Sequence, residues 1–376
     1  MSLRPPCCPN KNCPRHTQKP KPAHWYTKDG TYDTLAFGTI QRYKCSHCGK
    51  RFSERTFHID YYAKKNVNYR RIFRQLISTG STRDIARELG ISCASVANRI
   101  SRLARNAIAV LEELKTEILL SEDLAADGFE SFAVSQYFPN NIHILAGKAS
   151  QYIWYLNYVP LRRKGRMQDA QKQRRSELEK HYLPPKGILT AQFRDLLLHA
   201  IAFARKADRP LVLYTDEKLE YARAAAAIPM LKIWKAENRF KHVRISSKKA
   251  RTTTNDLFAV NYIDRQLRKD LANHVRETVC FTRNVNNGME RLLIYLLYHN
   301  HFKDFREGKP RYTGVSHAEV AGLDKETEKR ALRQVFTRRK LLSLEKVSGE
   351  YLKVWKREMV TPLRKGRDYL PLYALH

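Results

Sequence analysis

Two sets of side chains in this sequence could hold a metal ion, and they lie far apart along the chain. Near its start, Cys7, Cys8 and Cys13 fall in "CCPNKNC", and Cys45 with Cys48 in "YKCSHCGKRFS". Two close cysteine pairs separated by a longer segment can close four thiolates around one Zn²⁺, each pair on its own tight turn. Much later, "RPLVLYTDEKLEYARAAAA" runs from Arg209 to Ala227. Leu211, Val212, Leu213 and Tyr214 read as a buried strand that stops at Asp216, and the Ala-rich sequence after it reads as a helix. Thr215 or Asp216 could cap that helix. A carboxylate at the carboxyl end of a core strand is also where α/β sheets gather their ligands.

The cysteines imply a zinc ribbon over residues 1–56. Cys8 and Cys13 make the first pair, with Cys7 as the alternative to Cys8, and Cys45 and Cys48 make the second. His16 and His47 are possible substitutes. Asp29-Gly30 fits a hairpin turn and Thr39 to Tyr43 a strand. Lys44 and Arg51 flank the second pair, where cations can contact phosphate. A linker is expected over 57–66.

Residues 67–118 carry a helix-turn-helix pattern. Ile72, Phe73, Leu76 and Ile77 recur at helical spacing before Gly80. Ser81 and Asp84 form a capping box for a second helix that ends at Gly90, and Ser92 caps a third. On that third helix Val96, Ile100 and Leu103 share one face, while Ser95, Asn98, Arg99 and Arg102 fall elsewhere. A short helix, a glycine turn and a polar, basic helix suit the major groove, where Asn pairs with adenine and Arg with guanine.

From residue 119 to 303 the pattern is three strands, helix, strand, helix, strand, helix, with a basic insertion at about 161–186. This is the order of a ribonuclease-H-like α/β domain, in which the first and fourth strands are central neighbours. Asp127 on the first strand and Asp216 on the fourth would then meet, and Asp264 on the long helix expected over "TNDLFAVNYIDRQLRKDLANHVRET" could complete a cluster. Glu277 and Glu290 are the alternatives for the third acid. Clustered carboxylates repel one another unless cations neutralise them. Two Mg²⁺ (or Mn²⁺) ions held there could activate an attacking oxygen and stabilise a leaving one on a phosphodiester. Residues 304–376 form a basic, mostly helical extension, with "EKRALRQVFTRRKLLSLEKV" readable as an amphipathic helix. The fold class is therefore multidomain α+β.

The totals point to a polyanionic partner. Lys and Arg number 70 against 37 Asp and Glu, a formal charge of +33 in 376 residues. Nucleic acid is the expected partner of such an excess. No apolar run is long enough to span a membrane, and no signal-peptide core is visible. A cytoplasmic, nucleoid-associated protein is expected, in which crowded cysteines mean metal rather than disulfide.

With these residues in view, the chain to about residue 303 resembles the DDE transposases of bacterial insertion sequences, of the insertion-sequence-one type. "CPNKNC…YKCSHCGKRFS" and the helix-turn-helix resemble that family's DNA-binding part. "YTDEKLEY" resembles the segment around its second catalytic Asp, and "YIDRQLRKDLANHVRETVCFTRN" its third-acid region. Two departures are Asp264 where the family usually has Glu, and a shorter spacing from that acid to "LRKD". The resemblance implies Asp127, Asp216 and Asp264 as catalytic magnesium ligands, double-stranded DNA (element terminal inverted repeats and target) as substrate, and a homodimer or larger assembly. Two other readings fit the residues: a DNA-binding regulator with an inactive core, and a metal-dependent nuclease that does not join.

Overall fold

The computed structural model describes residues 5–17, 25–246, 248–275 and 278–375. The N-terminal region holds a short helix α1 (Pro14–Thr17) and a three-stranded antiparallel sheet of β1 (Tyr26–Thr34), β2 (Gly38–Cys45) and β3 (Arg51–Ser53). Its small core is aromatic. Trp25 stacks on Phe52 at 5.7 Å, and Phe57 meets Phe52 edge-on at 5.9 Å. So few residues cannot bury enough apolar surface alone, which is where a metal centre adds stability.

Capping residues delimit the next three helices, α2 (Tyr69–Leu76), α3 (Thr82–Leu89) and α4 (Cys93–Lys115). The Ser81 Oγ accepts from the Asp84 N–H at 3.3 Å, and Asp84 Oδ2 accepts from the Ser81 N–H at 3.0 Å. Gly90 ends α3 at φ 59°, a left-handed conformation that costs glycine little. The third helix is longer than a recognition helix needs. Its second half, from Ile100 to Leu111, is buried and becomes the spine of the main core.

The main sheet has five strands in the order β6-β5-β4-β7-β8. These are β4 (Leu124–Phe132), β5 (Pro139–Gly147), β6 (Ile153–Pro160), β7 (Leu211–Asp216) and β8 (Phe240–Ile245). β4, β5 and β6 form an antiparallel meander, whereas β7 and β8 run parallel to β4, so the sheet is mixed. Helices α5 (Asp169–Glu179) and α6 (Ile188–Lys206) separate β6 from β7, and α7 (Leu219–Ala226) with α8 (Pro229–Ala236) separate β7 from β8. Then follow α9 (Phe258–Asp270), α10 (Val285–His301), α11 (His317–Val320), α12 (Lys325–Leu332) and α13 (Gly349–Trp355). The helix α9 packs on β4 and β5, and α6 along β5, β6 and β7.

Three expectations are revised. The segment 57–66 is not a loose linker: the Arg102 guanidinium donates to the carbonyls of Ile59 and Tyr61 at 2.8 and 2.6 Å, and the Ile59 N–H donates to Thr337 O at 2.8 Å. The long helix expected through residue 278 stops at Asp270, whose carbonyl accepts from the Thr79 N–H at 2.9 Å. The C-terminal residues are not an appended basic helix: α12 ends at Leu332, and Phe336, Tyr351 and Trp355 sink into the core that α4 shares with the sheet.

Candidate active site

Parallel pairing of β4 with β7 sets Ala126 opposite Thr215, so the next residue on each strand is an aspartate, Asp127 beside Asp216. The Lys218 ammonium joins them, with Nζ 3.4 Å from Asp127 Oδ1 and 3.2 Å from Asp216 Oδ2. The Asp127 Oδ1 also accepts from the Gly128 N–H at 2.7 Å. Asp216 Oδ1 accepts from the Lys218 N–H at 3.1 Å, so Asp216 shapes the start of α7 as well as facing Asp127. Gly128 has its own constraint: a Cβ there would lie 2.5 Å from the Asn141 side chain of the neighbouring strand.

Asp264 reaches the site from α9, between the buried Ile263 and Leu267. Burial, then the negative charge of Asp127, raises its carboxyl pKa to about 7, against the pull of Arg268 and Arg251. Asp127 is raised too, first by burial and then by Asp216, while Lys218 opposes the shift. Burial alone would lower Lys218, but Asp127, Tyr221 and Asp216 outweigh it and hold the ammonium firmly charged. Two strands thus set two acids side by side with one lysine between them, and α9 brings a third acid within electrostatic reach of Asp127. Acids raised as Asp127 and Asp264 are, by burial and a neighbouring negative charge, mark functional sites more often than plain surface.

The donor set suits a hard divalent cation, since carboxylate oxygens are what Mg²⁺ takes. Among the described residues the three carboxylates do not close to within 4.8 Å of one another; the group that does is cysteine. Of the two alternative third acids, Glu290 lies elsewhere. It is buried in α10, paired with Arg357 Nη1 at 2.6 Å and accepting from Ser101 Oγ at 2.8 Å. Glu277 lies outside the described residues.

Cys8, Cys13, Cys45 and Cys48 bring their sulfurs within 4.8 Å of one another and could bind a metal such as zinc. Cys7 is buried outside that group. His16 is not a rival ligand, since its Nδ1 lies 2.7 Å from Cys8 O and its Nε2 2.8 Å from Ser343 Oγ. His47 is exposed.

The residues expected to meet DNA divide into two groups. Lys44 and Arg51 are exposed on the ribbon, Arg51 leaning on Asp29 at 3.1 Å. Ser95 is half-buried and bonds Ser92, its helix cap. Arg99 and Arg102, in contrast, are only 6% exposed each. Arg99 lies 3.6 Å from the buried Asp60 and donates to Lys65 O at 3.0 Å. Asn98 Oδ1 accepts from Arg102 Nε at 2.8 Å. These guanidiniums lock residues 59–65 onto α4 and do not face solvent. Exposed cations around the helix pair include Lys64, Lys65, Arg70, Arg71, Arg74, Arg83 and Arg87, which the spacing of a recognition helix did not single out. Lys218 was missed as well, although it stands two residues after Asp216.

No family model matches the chain, and no curated protein matches it. One solved structure, described as "Crystal structure of the Mos1 Strand Transfer Complex", aligns at a TM-score of 0.24 and 8% identity, over 69% of this chain and 74% of that one. Among the described residues no helix is long and apolar enough to cross a membrane.

Proposed function

We propose that this protein is a DNA transposase that uses Asp127, Asp216 and Asp264 to cut and join phosphodiesters with Mg²⁺ or Mn²⁺. The observation that carries the reading is Asp127 beside Asp216 on neighbouring parallel strands, with Asp264 entering from α9. The strand order supports a ribonuclease-H-like domain. Divalent ions, when bound, would neutralise charge on the attacked phosphate and activate the attacking oxygen.

The chain's own part is to place the acids. β4 and β7 fix Asp127 and Asp216 on rigid strands, and α9 brings Asp264 from a separate element. The excess of 33 positive charges draws the DNA backbone in. The ribbon, with one Zn²⁺ on its four thiolates, and the helix-turn-helix would bind the terminal inverted repeats. On α2, α3 and the 59–65 segment the exposed Lys64, Lys65, Arg70, Arg71, Arg74 and Arg83 supply the phosphate contacts. Two element ends require two active sites, so a homodimer or larger assembly on DNA belongs to this reading.

The test is strand transfer in Mg²⁺ from labelled DNA carrying the gene's flanking repeats into a plasmid, for the wild type beside Asp216→Ala. Joined product that disappears in the variant supports the proposal. Cleavage without joining would replace it by a nuclease. Tight repeat binding with no metal-dependent cutting would replace it by a DNA-binding regulator.

A further inference from the structure

The proposal above leaves unexplained the group that stands between the two strand carboxylates. Lys218 is attached at the start of α7, and its backbone N–H is pinned to Asp216 Oδ1 at 3.1 Å. Its Nζ lies 3.2 Å from Asp216 Oδ2, 3.4 Å from Asp127 Oδ1 and 3.5 Å from the Tyr221 hydroxyl, and 5.3 Å from the Tyr221 ring centroid. Tyr221 is in turn held by stacking on Phe193 at 3.8 Å. The ammonium is thus seated by groups from β4, β7 and α7, in the place where a cation shared by Asp127 and Asp216 would bind.

We propose that Lys218 is a built-in counterion of the Asp127–Asp216 pair, which a divalent ion must displace in order to bind; this rests on reading those two aspartates as metal ligands. Two adjacent carboxylates on buried strands repel each other, and one positive charge between them lets the sheet form. A single lysine does not cancel two carboxylates, so the pair stays attractive to a doubly charged ion. The side chain is 31% exposed, which leaves it a route to solvent. Its flexible four-carbon stem can take that route while the backbone stays on Asp216, which a rigid guanidinium fork would do less readily. Lys218 is therefore a positioning residue: it holds the acids together and sets how strongly an ion must bind to take its place.

The competition is measurable without catalysis. Mn²⁺ binding to the full chain is followed by calorimetry, after the cysteine group has been saturated with Zn²⁺. Lys218→Met should tighten Mn²⁺ binding by roughly tenfold, equivalent to about 1.4 kcal/mol, and lower the melting temperature measured in chelator. Lys218→Arg, which keeps the charge but leaves the acids less readily, should not tighten Mn²⁺ binding. Lys218→Gln gives the same reading as Met should the Met variant fail to fold. Unchanged or weaker Mn²⁺ binding in the uncharged variants overturns the counterion role. Asp127→Asn separates the two proposals: if it leaves Mn²⁺ affinity at the wild-type value, the metal-ligand reading itself fails. If it weakens binding while Lys218→Met has no effect, the counterion role alone fails.

Discussion

The chain holds two candidate metal centres, and they are built in opposite ways. The cysteine group is closed, its four sulfurs lying within 4.8 Å of one another, two from the segment before α1 and two from the end of β2 and the turn before β3. The carboxylate group is open: its acids come from β4, β7 and α9, a lysine stands among them, and Asp264 is lifted to about 7 by burial and by Asp127. A structural site needs full coordination and tolerates no exchange, so compact turns serve it. A reactive site must admit ions and a phosphate, so it keeps charge that its own side chains only partly satisfy. The difference explains why one centre can support a fold and the other strains it.

Breaking the closed centre should have the largest effect. Cys45→Ser is expected to abolish metal binding by the cysteine group and unfold the N-terminal sheet, because a structural zinc held there would contribute about 10 kcal/mol or more to so small a module. Metal content per chain and limited proteolysis of the first sixty or so residues check this. Cys7→Ser should leave both unchanged, since Cys7 stands outside the group.

Asp216→Asn is the counterpart at the open centre. Metal-dependent DNA cleavage should fall at least about 10³-fold, some 4 kcal/mol in barrier, while repeat binding by gel shift stays near wild type. Next in size is Glu290→Ala, which sharpens the comparison by showing what a purely structural acid does. It removes the carboxylate that pairs with Arg357 Nη1, leaving Arg357 with the Asp368 carboxylate, and takes away the negative charge that offsets the buried Arg105, at a cost of about 3 kcal/mol in unfolding free energy by denaturant titration. Mn²⁺ affinity should not change.

The smallest effect is a pH slope. Asp264 binds its proton more tightly in the folded chain, at about 7, than in the unfolded one. Its contribution is therefore favourable below the unfolded pKa near 4 and is lost as pH rises through about 7. In chelator, Asp264→Asn should match the wild type only below about pH 4, and its advantage in melting temperature should widen by several degrees between pH 5 and pH 8. A variant that melts lower at pH 8 would mean that the charged carboxylate is welcome where it sits.

What the sequence disclosed followed the range of each interaction. The cysteine spacing, the Ser81–Asp84 box and the Gly90 turn are local, and each is found where the residues call for it. Strand order was legible too, because β7 is a short apolar run ending at Asp216. Arg99 and Arg102 misled because their partners, Asp60 and the carbonyls of residues 59–65, come from a stretch whose composition reads as linker. Glu290 stood as an alternative third acid because its partner Arg357 lies 67 residues away in the chain. Lys218 sat in plain view beside Asp216, yet its role needs Asp127 from another strand, 91 residues back.

The most direct test of the carboxylate centre is to let the ion report its own position. Fe²⁺ replaces Mg²⁺ in the zinc-loaded chain, ascorbate and peroxide are added, and breaks in the polypeptide are mapped by mass spectrometry. Breaks clustered around Asp127, Asp216 and Asp264, lost in Asp127→Asn and suppressed by excess Mg²⁺, are the predicted result. Breaks elsewhere, or a pattern identical in Asp127→Asn, would contradict the assignment of these acids as the metal site.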